Sequence, residues 1–172
     1  GCLSGNRQAQ RQLYETYSRR FMAICTRYLK EQEQAEDVMI QSFMKIFEKL
    51  SQFQGKGSFE GWMKRIVVTQ ALMTLRSNRH RMMEVNMEAD IEYSNHHYEL
   101  THLEAAELME LVQSLPVGYR TVFNLYVMEE RSHKEIATLL GISEGTSKSN
   151  LAKAKMNLQR LLKEQFILIE KR

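Results

Sequence analysis

Apolar side chains recur every three or four residues through most of the chain, which is the period of an amphipathic α-helix. In the first half this period predicts two helices between about Asn6 and Leu50, and a third from about Ser58 to Asn78, with Ser58 as its cap. Two glycines break the pattern between Ser51 and Ser58. The predicted apolar stripes of the first two helices are Leu13, Tyr17, Phe21, Ile24, Cys25 and Tyr28, then Val38, Phe43, Ile46, Phe47 and Leu50. These helices are expected to form one compact domain.

The second half contains two short predicted helices on either side of a glycine. Ser132 and Glu135 have the spacing of a capping box, in which each satisfies an unpaired backbone donor at the start of the first helix. Gly141 ends that helix, and Ser143 can cap the next one. The predicted stripe of the second helix is Leu151, Ala154, Leu158, Leu161 and Leu162. This succession predicts a helix-turn-helix, a motif that many proteins use to read DNA.

The face opposite that stripe is polar and basic. At about 100° per residue, it carries Thr146, Ser149, Lys153, Met156 and Arg160, with Lys148 and Lys155 on its flanks. Hydroxyl and amide groups, including that of Asn150, can bond base edges in a major groove, whereas basic side chains neutralise phosphates. The alternative is a helical pair with a solvated basic face, since this packing also occurs in proteins that never bind DNA.

Composition favours an all-α protein, because the 172 residues include one proline and eight glycines. No apolar run approaches the roughly 18 residues of a membrane span, and no secretory signal is evident, so we expect a cytoplasmic protein without membrane insertion. Cys2 and Cys25 are too few for a disulfide framework and have no metal ligand at a suitable spacing. The His96-His97 pair lacks a third ligand and is interpreted as part of a solvated loop. We therefore expect neither a metal nor a cofactor.

Charge divides the chain into basic and acidic parts. Between Met82 and Tyr119 there are eight acidic residues and no Lys or Arg, so all 24 basic residues lie elsewhere, against 13 of the 21 acids. Two basic domains with an acidic connector suggest two contacts with a polyanion. The predicted organisation is a helical domain at 1–80, a flexible acidic linker at 81–99, a second helical domain at 100–165, and a tail at 166–172. Within the second domain, helices are predicted at Leu100 to Leu115 and Tyr119 to Met128, before the helix-turn-helix.

The third helix has one apolar and one wet face. Its wet face is predicted to carry Trp62, Arg65, Thr69 and Arg76, opposite Met63, Val67, Val68, Ala71 and Leu75. Five Lys or Arg and no acid occur from residue 64 to 81. With exposed Phe53, Phe59 and Trp62, this suits single-stranded nucleic acid, because cations follow the backbone and rings stack on unpaired bases. Such rings are also common in cores, which is the alternative interpretation.

Two series of residues follow one another in a characteristic order and spacing. The first is Leu13-Tyr14, Arg27-Tyr28, Ala35-Glu36-Asp37-Val38, Phe43, Phe53-Gln54-Gly55, Phe59, Trp62 and Arg65-Ile66. The second is Leu115-Pro116, Tyr119-Arg120, Glu135-Ile136-Ala137 and Gly141-Ile142-Ser143-Glu144-Gly145-Thr146. In both series the chain resembles bacterial RNA polymerase sigma factors of the extracytoplasmic-function (ECF) type, the first matching their region 2 and the second their region 4.

The resemblance implies a sigma factor that directs promoter-specific transcription initiation. Region 2 would bind the clamp helices of core RNA polymerase and would melt and read the −10 element of promoter DNA. Region 4 would read the −35 element and bind the polymerase flap, and an anti-sigma factor is an expected partner. The implied polymerase-binding residues are Asp37, Gln41, Phe43 and Phe47. The implied −10 residues are Phe53, Gly55, Lys56, Ser58, Phe59, Trp62, Arg65, Thr69, Arg76 and Arg79. The implied −35 residues are Ser132, Thr146, Lys148, Ser149, Asn150, Lys153 and Lys155.

The chain departs from the family pattern at three places. Ile40-Gln41 replaces the usual Gln-Glu, which removes a carboxylate from the clamp contact. Thr69 stands where many members have Asn, so a different −10 base preference is expected. The second helix of the helix-turn-helix has Asn150 and Lys153 where Arg is frequent, and Lys lacks the planar fork with which Arg binds guanine.

Two other function classes are alternatives to a sigma factor. A stand-alone helix-turn-helix regulator would bind duplex DNA as a dimer, but it would leave the aromatic and basic third helix unexplained. An enzyme is disfavoured, because the sequence has no phosphate-binding glycine loop, nucleophile elbow, metal triad or acid pair in an apolar setting.

Overall fold

The computed structural model describes the backbone of residues 1–85 and 105–170, and the side chains of residues 1–78 and 108–164. All regular elements in these ranges are helical, which confirms the predicted all-α class. The chain divides into two compact units, Gly1–Glu88 and Ala89–Arg172, called here the N-terminal and C-terminal units. The predicted linker beyond Val85 and the His96-His97 pair lie outside the described residues.

Residues 1–85 of the N-terminal unit form three α-helices, and the last is longer than predicted. Helix α1 spans Arg7–Tyr28, α2 spans Gln32–Lys49, a short 3₁₀ turn follows at Leu50–Gln52, and α3 spans Phe59–Val85. The sequence after Asn78 contains neither glycine nor proline up to residue 85, so nothing in it ends a helix. The first five residues of the predicted linker therefore continue α3.

Side-chain caps begin α1 and α3 where the sequence provides a short polar residue. The Asn6 Oδ1 atom accepts from the backbone N–H groups of Gln8 and Ala9, at 2.9 and 3.1 Å. Ser58 Oγ accepts from the Gly61 N–H at 3.2 Å, which confirms the predicted cap. Such caps each stabilise a helix by about 1 kcal/mol, and the Ser58 cap fixes where the loop ends.

The three helices bury their predicted stripes against one another. Tyr28, Ile46, Met63 and Val67 are fully buried, and Leu13 and Tyr17 at the start of α1 are half-buried. At the surface, Arg20 of α1 donates to both carboxylate oxygens of Glu60 in α3, at 3.0 and 3.1 Å. This exposed ion pair contributes little energy. The apolar core therefore holds the outer faces of α2 and α3 in place.

The described part of the C-terminal unit, residues 105–170, contains four α-helices. Helix α4 spans Ala105–Ser114, α5 spans Val117–Phe123, α6 spans His133–Leu140 and α7 spans Glu144–Glu170. The helix predicted at 119–128 is divided, because a π-helical turn occupies Asn124–Met128. Helix α7 extends through most of the predicted tail, where neither glycine nor proline interrupts it. The core around α4 and α7 consists of Leu111, Val112, Leu115, Ala154 and Leu158, with Tyr119, Phe123, Leu161 and Leu162 packed against it.

The predicted helix-turn-helix is present with its predicted caps. Ser132 Oγ accepts from the Glu135 N–H at 3.3 Å, and the Glu135 carboxylate accepts from the Ser132 N–H at 2.9 Å. The bond from the Ser132 backbone is the main cause that lowers the pKa of Glu135. Gly141 ends α6 in the left-handed conformation at φ 66°, and Ser143 Oγ accepts from the Thr146 N–H at 3.0 Å. The turn between α6 and α7 is thus fixed on both sides.

A buried arginine joins α5 to the end of α4. The Arg120 guanidinium donates from Nη1 to the backbone carbonyl oxygens of Gln113 and Leu115, at 2.9 and 3.1 Å. Burial lowers the pKa of Arg120, but an arginine remains charged in proteins. The cation lies at the carboxyl end of α4, where the helix dipole favours positive charge. This contact fixes the turn between α4 and α5.

We predict that Arg120→Met destabilises the C-terminal unit by roughly 2–4 kcal/mol, because buried carbonyl oxygens lose a charged donor. Urea unfolding followed by circular dichroism measures the loss. Trp62 is the one tryptophan of the chain and lies in the N-terminal unit, so its fluorescence reports that unit separately. Lys163→Met, at an exposed position of α7, is the control and should leave both signals unchanged. An unchanged transition in Arg120→Met would contradict this role.

Candidate nucleic-acid and protein interfaces

Three aromatic rings form a small cluster between the α2–α3 loop and the first turn of α3. Phe53, Phe59 and Trp62 are called the aromatic cluster. Their ring centroids lie 5.1 to 5.9 Å apart, and the Phe59 and Trp62 rings are nearly parallel at 13°. All three are half-buried. The rings are neither fully exposed, as a stacking surface would be, nor enclosed in a core. They pack against one another while each keeps part of its surface exposed.

The loop before α3 is exposed and requires glycine at two places. Gly55 and Gly57 have φ values of 71° and 79°, a left-handed conformation that other residues rarely adopt. Lys56 and Ser58, both proposed from the resemblance, are exposed between and after them. The loop thus presents one cation and backbone groups beside the aromatic cluster.

The outer face of α3 is polar and basic, as predicted. Arg65, Thr69 and Arg76 are exposed, and the Thr69 hydroxyl donates to the Arg65 carbonyl oxygen at 2.7 Å. Met73 lies on the same face and is 59% exposed, which the sequence analysis missed. Its position between 69 and 76 in the helical period could have revealed it. These four residues are called the α3 outer face, and the side chain of Arg79 lies outside the described residues.

One residue proposed to face the polymerase is wrong for that role. Phe43 is 3% exposed, and its ring packs against Tyr14 and Phe21 of α1 and Phe47 of α2, with centroids 4.8, 5.6 and 6.2 Å away. Its side chain therefore belongs to the core and offers no surface to a partner. Phe47 is half-buried.

The exposed side of α2 instead presents four residues on one face. Asp37 and Gln41 are exposed as predicted. Ile40 and Met44 are exposed by 51% and 66%, and neither is among the polymerase-binding residues that the resemblance implies. Both are apolar residues at positions outside the apolar stripe of α2. This mismatch between residue type and position could have revealed them from the sequence. Asp37, Ile40, Gln41 and Met44 are called the α2 strip, an apolar centre with polar neighbours.

The amino-terminal part of α7 exposes most of its predicted −35 residues. Thr146, Lys148, Ser149, Lys153 and Lys155 are exposed, and they are called the α7 outer face. The Lys153 ammonium lies 5.8 Å from the centre of the Tyr119 ring.

Two other proposed −35 residues are less available than predicted. Asn150 is half-buried, with its amide nitrogen beside Gly118 of α5. The Ser132 hydroxyl is exposed but engaged with Glu135 in the capping box. The structure therefore favours the α7 outer face over these two residues as a DNA-contacting surface.

The described residues offer little for metal or thiol chemistry. Among them, no three His, Cys, Asp or Glu side chains are placed to hold a metal ion. Cys25 is fully buried, and desolvation raises the pKa of its thiol to about 11, so the reactive thiolate is suppressed. No described helix is both long and apolar enough to cross a membrane.

Two family models match separate parts of the chain. Residues 13–81 match the model described as Sigma-70 region 2, and residues 99–158 match the model described as Sigma-70, region 4. These ranges contain the aromatic cluster with the α3 outer face, and the helix-turn-helix, respectively. Both models describe parts of the same family.

Curated relatives are similar over most of the chain. It is 25% identical over 170 residues to a probable RNA polymerase sigma factor, RfaY, of Xanthomonas campestris pv. campestris, covering 95% of this chain and 42% of that protein. It is 25% identical to the RNA polymerase sigma-H factor of Pseudomonas aeruginosa, covering 92% and 88%. It is 28% identical to the ECF RNA polymerase sigma factor SigE of Mycolicibacterium smegmatis, covering 86% and 59%. The chain thus spans less than half of the first relative and most of the second.

Solved structures share the fold. The sigma factor RpoE of Bartonella quintana, in complex with the anti-sigma factor NepR, matches with a TM-score of 0.58 and 20% identity, covering 89% of this chain and 96% of that one. CnrH in complex with the cytosolic domain of CnrY matches with a TM-score of 0.51 and 21% identity, covering 95% and 93%. With both region models matched in order and ECF relatives aligned over most of its length, this chain belongs to the sigma-70 family of RNA polymerase sigma factors, in its ECF group.

Proposed function

We propose that this sigma factor directs promoter-specific initiation by binding core RNA polymerase and promoter DNA through separate surfaces. The α2 strip binds the clamp helices, the aromatic cluster and α3 outer face melt and read the −10 element, and the α7 outer face reads the −35 element. The protein performs no chemistry of its own and acts in the cytoplasm, beside the polymerase. The observation that carries the proposal is the half-buried aromatic cluster, which lies beside a basic face. That face contains no acidic residue between positions 64 and 78.

Melting fits the energetics of the aromatic cluster. Removing a base from the duplex stack costs a few kcal/mol, which new contacts must offset. Stacking of an unpaired base on an aromatic side chain contributes about 1–3 kcal/mol, and the nearly parallel Phe59 and Trp62 rings provide such a surface. Arg65 and Arg76 on the α3 outer face supply charge for the phosphates of the separated strand.

Polymerase binding through the α2 strip fits its composition. Protein interfaces combine an apolar centre with a polar rim, and here Ile40 and Met44 lie beside Asp37 and Gln41. Because Phe43 and its ring contacts fix α2 against α1, the strip lies on a rigid support. Phe43 thus contributes by positioning the strip.

DNA binding by the α7 outer face requires Lys153 to reach a phosphate. Its present partner is the Tyr119 ring, 5.8 Å from Nζ. A cation–π contact at an exposed site stabilises by about 0.5–1 kcal/mol, so it does not prevent the lysine from turning to DNA. Thr146 and Ser149 provide hydroxyl groups for base edges. A second contact of the C-terminal unit, with the polymerase flap, completes the proposed assembly.

We also propose that an anti-sigma protein regulates this chain. The support is that both solved structures named above are described as complexes with such a protein or with the cytosolic domain of a partner. A partner that covers the α2 strip would prevent polymerase binding. Such a partner would block assembly at its first step.

The experiment that tests the function separates it from a stand-alone helix-turn-helix regulator. Purified protein is tested with and without cognate core RNA polymerase on a pooled promoter library, by footprinting and transcription. We expect selective binding and transcripts with the polymerase, and weak binding by the protein alone. Equal footprints without polymerase would instead support the stand-alone regulator, and failure to bind core polymerase would refute the proposal.

Trp62→Ala is predicted to reduce promoter opening by roughly 5- to 150-fold, because an unpaired base loses about 1–3 kcal/mol of stacking. Permanganate reactivity of −10 thymines in the holoenzyme complex measures opening. Trp62→Phe keeps an aromatic ring and should recover most of it. Protection of the −35 element should be unchanged in both variants. Normal opening by Trp62→Ala would contradict the role of the cluster.

Lys153→Ala is predicted to weaken holoenzyme binding to all −35 sequences alike and to reduce the dependence of log affinity on log salt concentration by about 1. The reason is that a phosphate contact releases counterions without reading sequence. Holoenzyme binding across a salt series measures this slope. Lys163→Ala, an exposed lysine further along the same helix, serves as the control. An unchanged slope in Lys153→Ala would exclude the phosphate contact.

A further inference from the structure

Helix α7 carries a buried polar side chain among its DNA-facing residues. Ser147 has no exposed surface, whereas its neighbours Thr146 and Lys148 are exposed. Its Oγ lies 2.9 Å from Nδ1 of His133, which is the first residue of α6. A side-chain hydrogen bond therefore joins the first turns of the two helices of the helix-turn-helix.

The His133 ring is itself held from a third element. It stacks on Tyr126 of the π-helical turn, with ring centroids 4.6 Å apart and planes 24° apart. His133 is half-buried, and stacking restricts the rotation of its ring. The imidazole thus meets Ser147 in a defined direction.

The other contacts between these helices leave more freedom. Ile136 of α6 and Leu151 of α7 are buried, but apolar packing depends mainly on area and has little direction. A hydrogen bond weakens steeply when its angle departs from linear, and a buried hydroxyl without a partner costs about 1–3 kcal/mol. The bond to His133 therefore opposes rotation of α7 about its own axis.

We propose that His133 is a positioning residue for −35 recognition. Its bond to Ser147 fixes the rotation of α7, and this rotation sets the direction in which Thr146, Ser149 and Lys153 leave the helix. The inference rests on the proposed function, in which the α7 outer face reads the −35 element. The role of His133 is to make that reading accurate. Recognition of the −35 element then also requires His133 and Ser147, although neither residue needs to touch DNA.

Three variants separate the parts of this contact. His133→Phe keeps a ring to stack on Tyr126 but removes the nitrogen. His133→Asn removes the ring but keeps a hydrogen-bonding group near the place of Nδ1. Ser147→Ala removes the hydroxyl. Thr138→Ala is the matched control, because the Thr138 hydroxyl bonds within α6, to the Lys134 carbonyl oxygen at 3.0 Å.

The variants are tested as holoenzymes on a promoter that the wild type transcribes, with its −35 bases randomised. We expect His133→Phe and Ser147→Ala to reduce discrimination between −35 sequences by about five- to tenfold, the equivalent of one hydrogen bond. His133→Asn should retain part of it, because it keeps a hydrogen-bonding group but loses the ring that stacks on Tyr126. Thr138→Ala should retain it fully. Amide hydrogen exchange of the full chain without DNA should be faster at the start of α7 in His133→Phe, and circular dichroism verifies that each variant is folded.

Two results would overturn the inference. One is unchanged discrimination in folded His133→Phe and Ser147→Ala. The other is an equal loss of transcription from every −35 sequence, which would indicate a purely structural role. If the wild-type holoenzyme itself shows no −35 preference, the proposed function of the C-terminal unit fails and the inference fails with it. A wild-type preference that survives in the variants refutes the inference alone.

Discussion

Burial of a single apolar face on each helix is the constraint on which the functional surfaces depend. On α3, the buried side chains Met63, Val67, Val68 and Ala71 repeat at intervals of three and four residues. At about 100° per residue, this leaves the opposite arc to the α3 outer face. Rotating α3 to hide that arc would expose these core side chains, and burial of each of the larger ones, Met63, Val67 and Val68, stabilises the fold by about 1.5–3 kcal/mol. The packing of the core therefore determines which residues of α3 are exposed.

The same constraint acts on α2 and α7, but it determines direction only coarsely. Val38 and Ile46 hold the α2 strip outward, and Leu151 and Ala154 do the same for the α7 outer face. Apolar stripes are wide, so they permit some rotation of a helix. Directional contacts then refine the arrangement: the capping box of α6, the Ser143 cap of α7 and the bond between His133 and Ser147. The finer contacts are concentrated in the part that is proposed to read sequence.

The sequence predicted the helices, their caps and most outer faces because these depend on local period and local hydrogen bonding. The capping box and the Ser58 cap were predictable for that reason. Phe43 was misassigned because a family position says nothing about burial, whereas its own place in the apolar stripe of α2 did.

Other features depend on contacts between residues distant in the chain. The packing of Phe53 against Trp62 brings the loop onto α3, and the pairing of His133 with Ser147 joins two helices.

The π-helical turn at Asn124–Met128 also escaped prediction, because its residues have the same apolar period as an ordinary helix. Helix ends without glycine or proline, as in α3 and α7, gave no signal at all.

Several modest contacts can give strong promoter selection when one assembly holds them together. As proposed here, stacking on the aromatic cluster contributes about 1–3 kcal/mol per base, and phosphate contacts by the α7 outer face add a salt-dependent term. Once one contact has formed, the next occurs within the same complex, at an effective concentration that reaches the millimolar range for short tethers. A promoter with one matching element then gains little, while a promoter with both gains the product of two affinities. Selectivity in such a protein therefore requires that neither contact be strong enough to hold DNA alone.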